Sequence, residues 1–380
     1  MFPLLAAGLL AGAVAVSADD PARTDQLASD LNNRGVAAAQ AGQWAEAVEQ
    51  LRRAVKVNPD AMLLRKNLSG ILTDWAAQLE QGGDGARAEP LLLEAVTYDS
   101  GNGAAYVRLG DLAYFQRSDF NAAISYWKQA NGKIADAEWH AIADRISQAQ
   151  RDAAIEREFV SHPTAHFDIR VHQQVNADWD ALGRQLEAAY ARLTERLGDG
   201  PQKITAILYS ARDMQRTYNQ RDWAIGFYDG RLRLLGRELG TEMTPVLIAH
   251  ELTHAFLHDA YGPTLPIWVQ EGVAQFQEGD RPRSKEELQR ERAVMDGGAW
   301  IPLKWLDRRF AQPTSRDDVV RAYVQARLVA AALIRRHGPD RFKEFMAALA
   351  SGQPVSAAYE AAFAPERWAG TETSSMLKDN

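Results

Sequence analysis

The sequence predicts a multidomain fold in which an all-α solenoid of helical repeats precedes an α+β domain. Three observations lead to this prediction: helix-pair spacing through the first third of the chain, strand-like alternation after Ser161, and an apolar helical segment with two histidines four residues apart. A length of 380 residues suits two domains. The predicted ranges are 1–18 (signal peptide), 24–136 (repeat region), 137–160 (linking helix), 161–370 (second domain) and 371–380 (polar tail).

Composition excludes several classes of function. A hydrophobic content of 46% with 24% charged residues is typical of a globular protein. The net charge of −7 leaves no basic surface of the kind that binds nucleic acid. Because the chain has no cysteine, disulfides, thiol nucleophiles and thiolate metal sites are excluded, and any metal must be held by His, Asp or Glu.

The N-terminal segment predicts export. Residues from Phe2 to Val16 are almost all small or apolar, and Ser17-Ala18 precedes the acidic Asp19. This pattern is typical of a signal peptide cleaved after Ala18, so we expect a periplasmic or secreted protein. The run is shorter than the ~20 residues of a transmembrane helix, and no transmembrane segment is expected in the mature chain. The alternative is an apolar N-terminal helix that is retained.

Residues 31–59 have the spacing of two closely packed antiparallel helices. Small residues allow the helices to approach, a glycine permits the turn and a proline ends the second helix. The segment resembles the tetratricopeptide repeat (TPR). The positions that carry the resemblance are Gly35, Gly42, Ala47, Leu51, Ala54 and Pro59.

Two looser units follow, and three units are the minimum for a stable solenoid. The resemblance implies a protein partner on the concave face, although a plain helical bundle without a partner is the alternative. Residues 137–159 predict a polar helix that caps the stack or links it onward. The looser units are marked by Ala88, Leu92 and Ala95, and by Tyr106, Leu109, Gly110, Asp119, Phe120, Ala123, Trp127 and Ala130.

The second domain begins with alternating strand and helix patterns. Residues 167–171 and 204–209 predict strands, and residues 179–197 predict a helix between them. Residues 226–235 predict a hairpin or edge strand with its turn at Asp229-Gly230. An extended peptide can add to an open sheet edge, so we expect this segment to guide a polypeptide substrate.

A helix from Thr244 to about Ala260 carries the sequence His250-Glu251-Leu-Thr-His254. Residues four apart lie on one helical face, so both imidazoles can bind a single metal ion. Zinc takes such ligands in a tetrahedral set and leaves one position open when it is catalytic. Glu251 follows the first histidine and can accept a proton from water, as a general base does. A pair of core histidines without a ligand is the structural alternative.

Glu271 is the candidate third ligand, on a second helix that begins near Pro266. It lies 17 residues after His254, beyond a helix-breaking turn. The metzincin pattern would need Gly and His where this chain has Leu257 and Ala260, so that pattern is absent. An exposed helical carboxylate is the alternative reading of Glu271.

Together these motifs resemble the gluzincin metallopeptidases, and the segments 250–254 and 265–274 are similar to the peptidase MA-like family. A weaker likeness extends from about residue 166 to 368. The resemblance implies a thermolysin-like core with one Zn²⁺ per chain and hydrolysis of peptide bonds. It implies His250, His254 and Glu271 as ligands and Glu251 as base.

Two further residues could belong to the site. His258 continues the histidine stripe, but two helical turns place it ~12 Å from His250, too far to share an ion, which favours a surface or supporting role. Tyr323 can donate a hydrogen bond to a developing oxyanion, or it can simply pack its own helix.

The sequence therefore predicts an exported zinc metallopeptidase whose repeats recruit a substrate or a partner protein. A repeat-based binding or assembly protein with an inactive, metal-binding peptidase-like domain is the main alternative. A hydrolase of a non-peptide bond is a third possibility, because a zinc–glutamate pair activates water whatever the water attacks.

Overall fold

The computed structural model describes residues 21–81, 84–172, 178–210, 212–214, 226–236, 241, 243–279, 283–296, 300–312 and 315–363. The predicted signal peptide and polar tail lie outside these ranges, as do Gly82 and Gly83. The chain divides into two compact units. One comprises the residues up to Gly110 with Ser125–Ile142, and the other comprises Asp111–Ile124 with the residues from Ala143 onward.

The first unit contains two complete helical pairs. Helix α1 packs along α2 at Gly35, where a Cβ atom would lie only 2.7 Å from Cγ of Leu51, so the predicted close approach requires glycine. Gly42 makes the turn with φ of +74°. The second pair follows the same plan, and Asp84 caps its second helix by accepting a hydrogen bond from the Arg87 amide at 3.2 Å. The helices are α1 (Pro21–Gln40), α2 (Trp44–Val57), α3 (Met62–Gln81) and α4 (Gly85–Tyr98).

The third predicted unit is less regular. Helix α5 (Gly103–Asp111) continues into a π-helical turn at Leu112–Gln116, and α6 spans Phe120–Ala130. A Cβ atom on Gly110 would lie 2.3 Å from the indole of Trp127, which explains the small residue predicted there. Helix α7 (Asp136–Ile155) ends four residues before the predicted helix end at Phe159.

A five-stranded mixed sheet lies in the second unit, in the order β1-β2-β3-β5-β4. The β1–β2 and β4–β5 pairs are antiparallel, whereas β2–β3 and β3–β5 are parallel. Helix α8 (Trp179–Leu197) connects β2 to β3 and packs on the sheet, as its pattern predicted. The strands are β1 (Phe159–Pro163), β2 (Phe167–His172), β3 (Ile204–Tyr209), β4 (Gly226–Tyr228) and β5 (Leu232–Leu235).

Strand β1 corrects the sequence analysis, which assigned residues up to 160 to a linking helix. A short 3₁₀ turn at Glu156–Glu158 separates α7 from this strand. Phe159–Pro163 then pairs antiparallel with β2 along its whole length. Pairing with β2, which follows after only three residues, sets this conformation, and the periodicity of the preceding helix does not indicate it. The hairpin of β4 and β5 is confirmed, with Gly230 in its turn at φ of +95°.

A buried ionic cluster lies on one side of β5. The side chains of Arg231 and Arg233 have no solvent exposure. Arg231 donates to Glu156 at 2.7 Å, and Arg233 donates to Asp152 at 3.0 Å and to the Tyr114 hydroxyl at 2.8 Å. These contacts explain why the π-helical turn and the end of α7 belong to the second unit, which begins before the predicted boundary near Ser161.

Among the described residues, seven longer helices follow the sheet in the second unit. A core built around Val269, Val273, Ala326 and Phe345 joins the later ones. No helix among the described residues is both long enough and apolar enough to cross a membrane. The helices are α9 (Thr244–Tyr261), α10 (Ile267–Gln277), α11 (Lys285–Met295), α12 (Leu303–Ala311), α13 (Arg316–His337), α14 (Pro339–Ala350) and α15 (Val355–Phe363).

Candidate metal centre

Helix α9 presents His250 and His254 on one face. Their ring centroids lie 5.1 Å apart, as expected of residues separated by one helical turn. The opposite face of α9 carries Leu252 and Phe256, which are buried against the sheet and α8. Packing therefore fixes the helix and leaves the two imidazoles directed away from this core.

Helix α10 brings Glu271 to the histidines. Gly262 ends α9 with φ of +69°, and α10 begins after Pro266, as predicted. The backbone amide of Trp268, in the first turn, donates to the Asp307 carboxylate at 2.9 Å. A Cβ atom on Gly272 would lie 2.5 Å from the carbonyl oxygen of Ala326, so glycine is needed for α10 to pack this closely on α13.

The three predicted ligands converge. One nitrogen or oxygen atom from each of His250, His254 and Glu271 lies within 4.8 Å of the others. Oε2 of Glu271 is 3.4 Å from Nε2 of His250 and 3.9 Å from Nε2 of His254. Tetrahedral zinc with bonds of about 2.1 Å separates its ligand atoms by roughly 3.4 Å.

Glu271 Oε2 gives an independent test of the fit. This atom is buried and accepts no hydrogen bond in the described part of the chain. A buried carboxylate oxygen without a partner is costly. A cation between the two ring nitrogens and this oxygen would satisfy it, so the residues present fit a zinc ion.

Glu251 lines a cavity together with His250, His254 and Glu271, and it is 6% exposed. Burial raises the pKa of its carboxyl to about 7, the range suited to a general base at neutral pH. On one side it meets the edge strand, where a Cβ atom on Gly226 would lie 3.1 Å from Glu251 Cγ. Glycine at this position therefore leaves room for the Glu251 side chain.

Glu278 is a site residue that was not predicted from the sequence. Its carboxylate lies 2.9 Å from Nδ1 of His250, on the ring edge opposite Nε2. An acceptor there fixes the tautomer and leaves Nε2 for a metal. In the metal-free chain, burial lowers the pKa of His250, but Glu271 and Glu278 raise it to a net value of about 10. Burial lowers the pKa of His254 to about 4. The signal in the sequence that could have identified Glu278 was its spacing from Glu271, which it follows by two helical turns.

The candidate site opens into a cavity of about 690 Å³, within the ~300–1,000 Å³ typical of small-ligand sites. The β4–β5 hairpin forms one wall with Tyr228 and Asp229, and α13 contributes Tyr323. Burial raises the pKa of Tyr323, with the carboxylates of Glu271 and Glu251 as further causes. Its ring packs edge-on against Phe310 with centroids 5.0 Å apart, so Tyr323 both lines the cavity and contributes to packing.

His258 also lines the cavity but stands apart from the ligand group. It is exposed, and its ring lies edge-on to Tyr228 with centroids 6.0 Å apart. It is not among the described residues that converge on the candidate metal position. This placement agrees with the expectation of a surface or supporting role.

Comparison with known proteins identifies one module. The family model described as Tetratricopeptide repeat matches residues 28–61, which the α1–α2 pair contains almost entirely. This repeat suggests protein–protein interaction. A search of curated proteins finds no match.

Proposed function

We propose that this protein is a zinc-dependent metallopeptidase that binds one Zn²⁺ per chain through His250, His254 and Glu271. The observation that carries the proposal is the unsatisfied, buried Oε2 of Glu271 facing the Nε2 atoms of both histidines. The buried Glu251 beside them supports chemistry rather than storage of the ion, because its raised pKa suits proton transfer near neutral pH.

Zinc bound at this site would supply a Lewis acid that activates water and polarises the substrate carbonyl. Glu251 accepts a proton from the attacking water as the new C–O bond forms. It returns that proton to the amide nitrogen, which leaves as an amine when the C–N bond breaks. The Tyr323 hydroxyl, on the cavity wall, donates a hydrogen bond to the carbonyl oxygen as negative charge develops.

An extended polypeptide is the substrate that the open edge of the sheet favours. Strand β4 is the last strand of the sheet and pairs with β5 along one edge. Among the described strands none pairs with its other edge, and β4 residues line the cavity. Main-chain hydrogen bonds to this edge would hold a substrate strand across the site.

The repeat at residues 28–61 favours a second role, in which the first unit recruits the substrate or a partner protein. The repeat is equally compatible with the alternative, a binding or assembly protein whose metal site catalyses no reaction. We also propose export to the periplasm or the extracellular space, on the apolar N-terminal segment described above.

The direct test measures zinc and hydrolysis on the same purified chain. We expect close to one equivalent of zinc after dialysis, cleavage of an unstructured protein such as casein, and loss of both on chelation with recovery on adding zinc. Bound zinc without cleavage of any polypeptide would favour the binding-protein alternative. Absence of zinc binding would contradict both.

A further inference from the structure

A second cavity, of about 490 Å³, is lined by residues of α8, α10, α13 and α14. It shares no lining residue with the metal cavity. Its floor is apolar: Val273, Phe342 and Met346 are buried, and Leu197 and Ile334 are partly buried around them. A cavity of this size with an apolar floor is suited to a small ligand.

The rim of this cavity is cationic, although the whole chain carries a net charge of −7. Five basic side chains line it against two acidic ones, Glu195 and Asp340. The excess of positive charge favours an anion over a neutral or cationic ligand. The basic residues are Arg196, Arg283, Arg327, Arg335 and Lys343.

Ion pairs within the protein leave this positive charge poorly compensated. Arg327 and Arg283 both bind the single carboxylate of Glu291. Arg335 and Lys343 pair with no carboxylate among the described residues. Burial lowers the pKa of Arg327, and the neighbouring Arg283 contributes to that shift, so an added negative charge would be favourable there.

The floor distinguishes among anions. The buried floor side chains Val273, Phe342 and Met346 carry no nitrogen or oxygen atom. They therefore suit a plain alkyl chain better than the amides of a peptide, which need hydrogen-bond partners when they are buried. We propose that this cavity binds a single-chain amphiphilic carboxylate of the medium-chain fatty-acid class. Its alkyl chain lies on the apolar floor and its carboxylate lies at the rim toward Arg335 and Lys343.

Calorimetric titration of the full chain with decanoate tests the proposal. The titration is done in EDTA, because a carboxylate could also bind a metal ion at the candidate centre. The outcome is therefore independent of whether the protein is a zinc enzyme. We expect saturable binding of decanoate, and much weaker binding of acetate, which lacks the chain, and of decyltrimethylammonium, which has the opposite charge.

The double variant Arg335→Glu/Lys343→Glu should weaken decanoate binding by about tenfold or more, because two attractive charges become repulsive. Arg336→Glu is the control for the single variant Arg335→Glu: it reverses one charge on the adjacent exposed residue, which does not line the cavity, and should bind decanoate much like the unmodified chain. Thermal unfolding checks that the variants are folded, and single variants replace the double one if it is not. Equal binding of both charge types, unchanged binding in the variants, or no binding of decanoate would each overturn the proposal.

Discussion

The Glu278 carboxylate and the His250 imidazole form a partly buried hydrogen bond, 2.9 Å between Oε1 and Nδ1. Both side chains are largely shielded from water, with 13% and 17% exposure. Glu278 caps the end of α10, the helix that also carries Glu271. One helix and its C-terminal cap therefore contribute both a candidate ligand and the acceptor that contacts another candidate ligand.

Glu278 should consequently control metal affinity without touching the metal. We expect Glu278→Ala to raise the zinc dissociation constant by ~10–100-fold, because His250 loses the acceptor that fixes its tautomer. Glu278→Gln should weaken binding less, since its amide oxygen can still accept from Nδ1–H. Competition titration with a zinc chelator measures both. Glu286→Gln, which changes an exposed carboxylate on α11, is the control, and an unchanged constant in Glu278→Ala would refute the positioning role.

Glu251→Gln should separate metal binding from catalysis. The amide keeps the size of the side chain but cannot accept a proton from water. We expect zinc content to stay near one per chain while peptide hydrolysis falls by roughly 10²–10⁴. Metal analysis and casein cleavage are measured on the same preparation. Full activity in this variant would mean that another group is the base.

Removal of a ligand should abolish both properties. Glu271→Ala, His250→Ala and His254→Ala each take away one donor atom, so we expect loss of stoichiometric zinc together with activity. Retention of full zinc affinity by Glu271→Ala would show that a different residue completes the site.

Gly272→Ala should destabilise the helical core next to the site. The added methyl would lie 2.5 Å from the backbone carbonyl oxygen of Ala326, and a backbone atom cannot move aside freely. We expect the free energy of unfolding to fall by about 1–3 kcal/mol, the usual cost of overpacking. Gly70→Ala in α3 is the control, because a methyl there meets nothing within 4 Å. Chemical denaturation measures both, and equal stability would contradict the close α10–α13 packing.

Export predicts a processed N-terminus. When the chain is expressed with its first residues in a host that secretes proteins, intact mass should correspond to a mature form that begins at Asp19 or close to it. Replacing Ala18 with Arg should block this cleavage, because signal peptidase requires a small residue there. Soluble cytoplasmic protein that retains Met1 would contradict the prediction.

Local patterns predicted much of the fold. The helix over 179–197, the strands at 167–171 and 204–209 and the hairpin at 226–235 follow from periodicity and turn residues, and the structure contains all of them. The short strand β1 was missed. It pairs with β2 along its whole length, and its first residues had been assigned to the end of the preceding polar helix.

The candidate centre was likewise predicted only in part from local patterns. Helical periodicity by itself placed His250 and His254 on one face, and turn residues indicated that Glu271 would fold back beside them. Tertiary structure decided how near Glu271 comes. The close approach of Gly272 to the Ala326 backbone and the Asp307 carboxylate at the start of α10 set its position, and both partners are distant in sequence.

The sequence by itself determined the repeat spacing, the residue types of the candidate centre and the exclusion of cysteine chemistry. These are properties of composition or of neighbours within one or two helical turns. Only the tertiary structure decided that Glu278 orients His250, that Arg231 and Arg233 are buried with Asp152 and Glu156, and that basic side chains from four segments surround one apolar cavity. Contacts of this kind form between elements that are far apart in the chain. The free energies of burial and ion pairing therefore depend on how the elements pack together, and no single segment determines them.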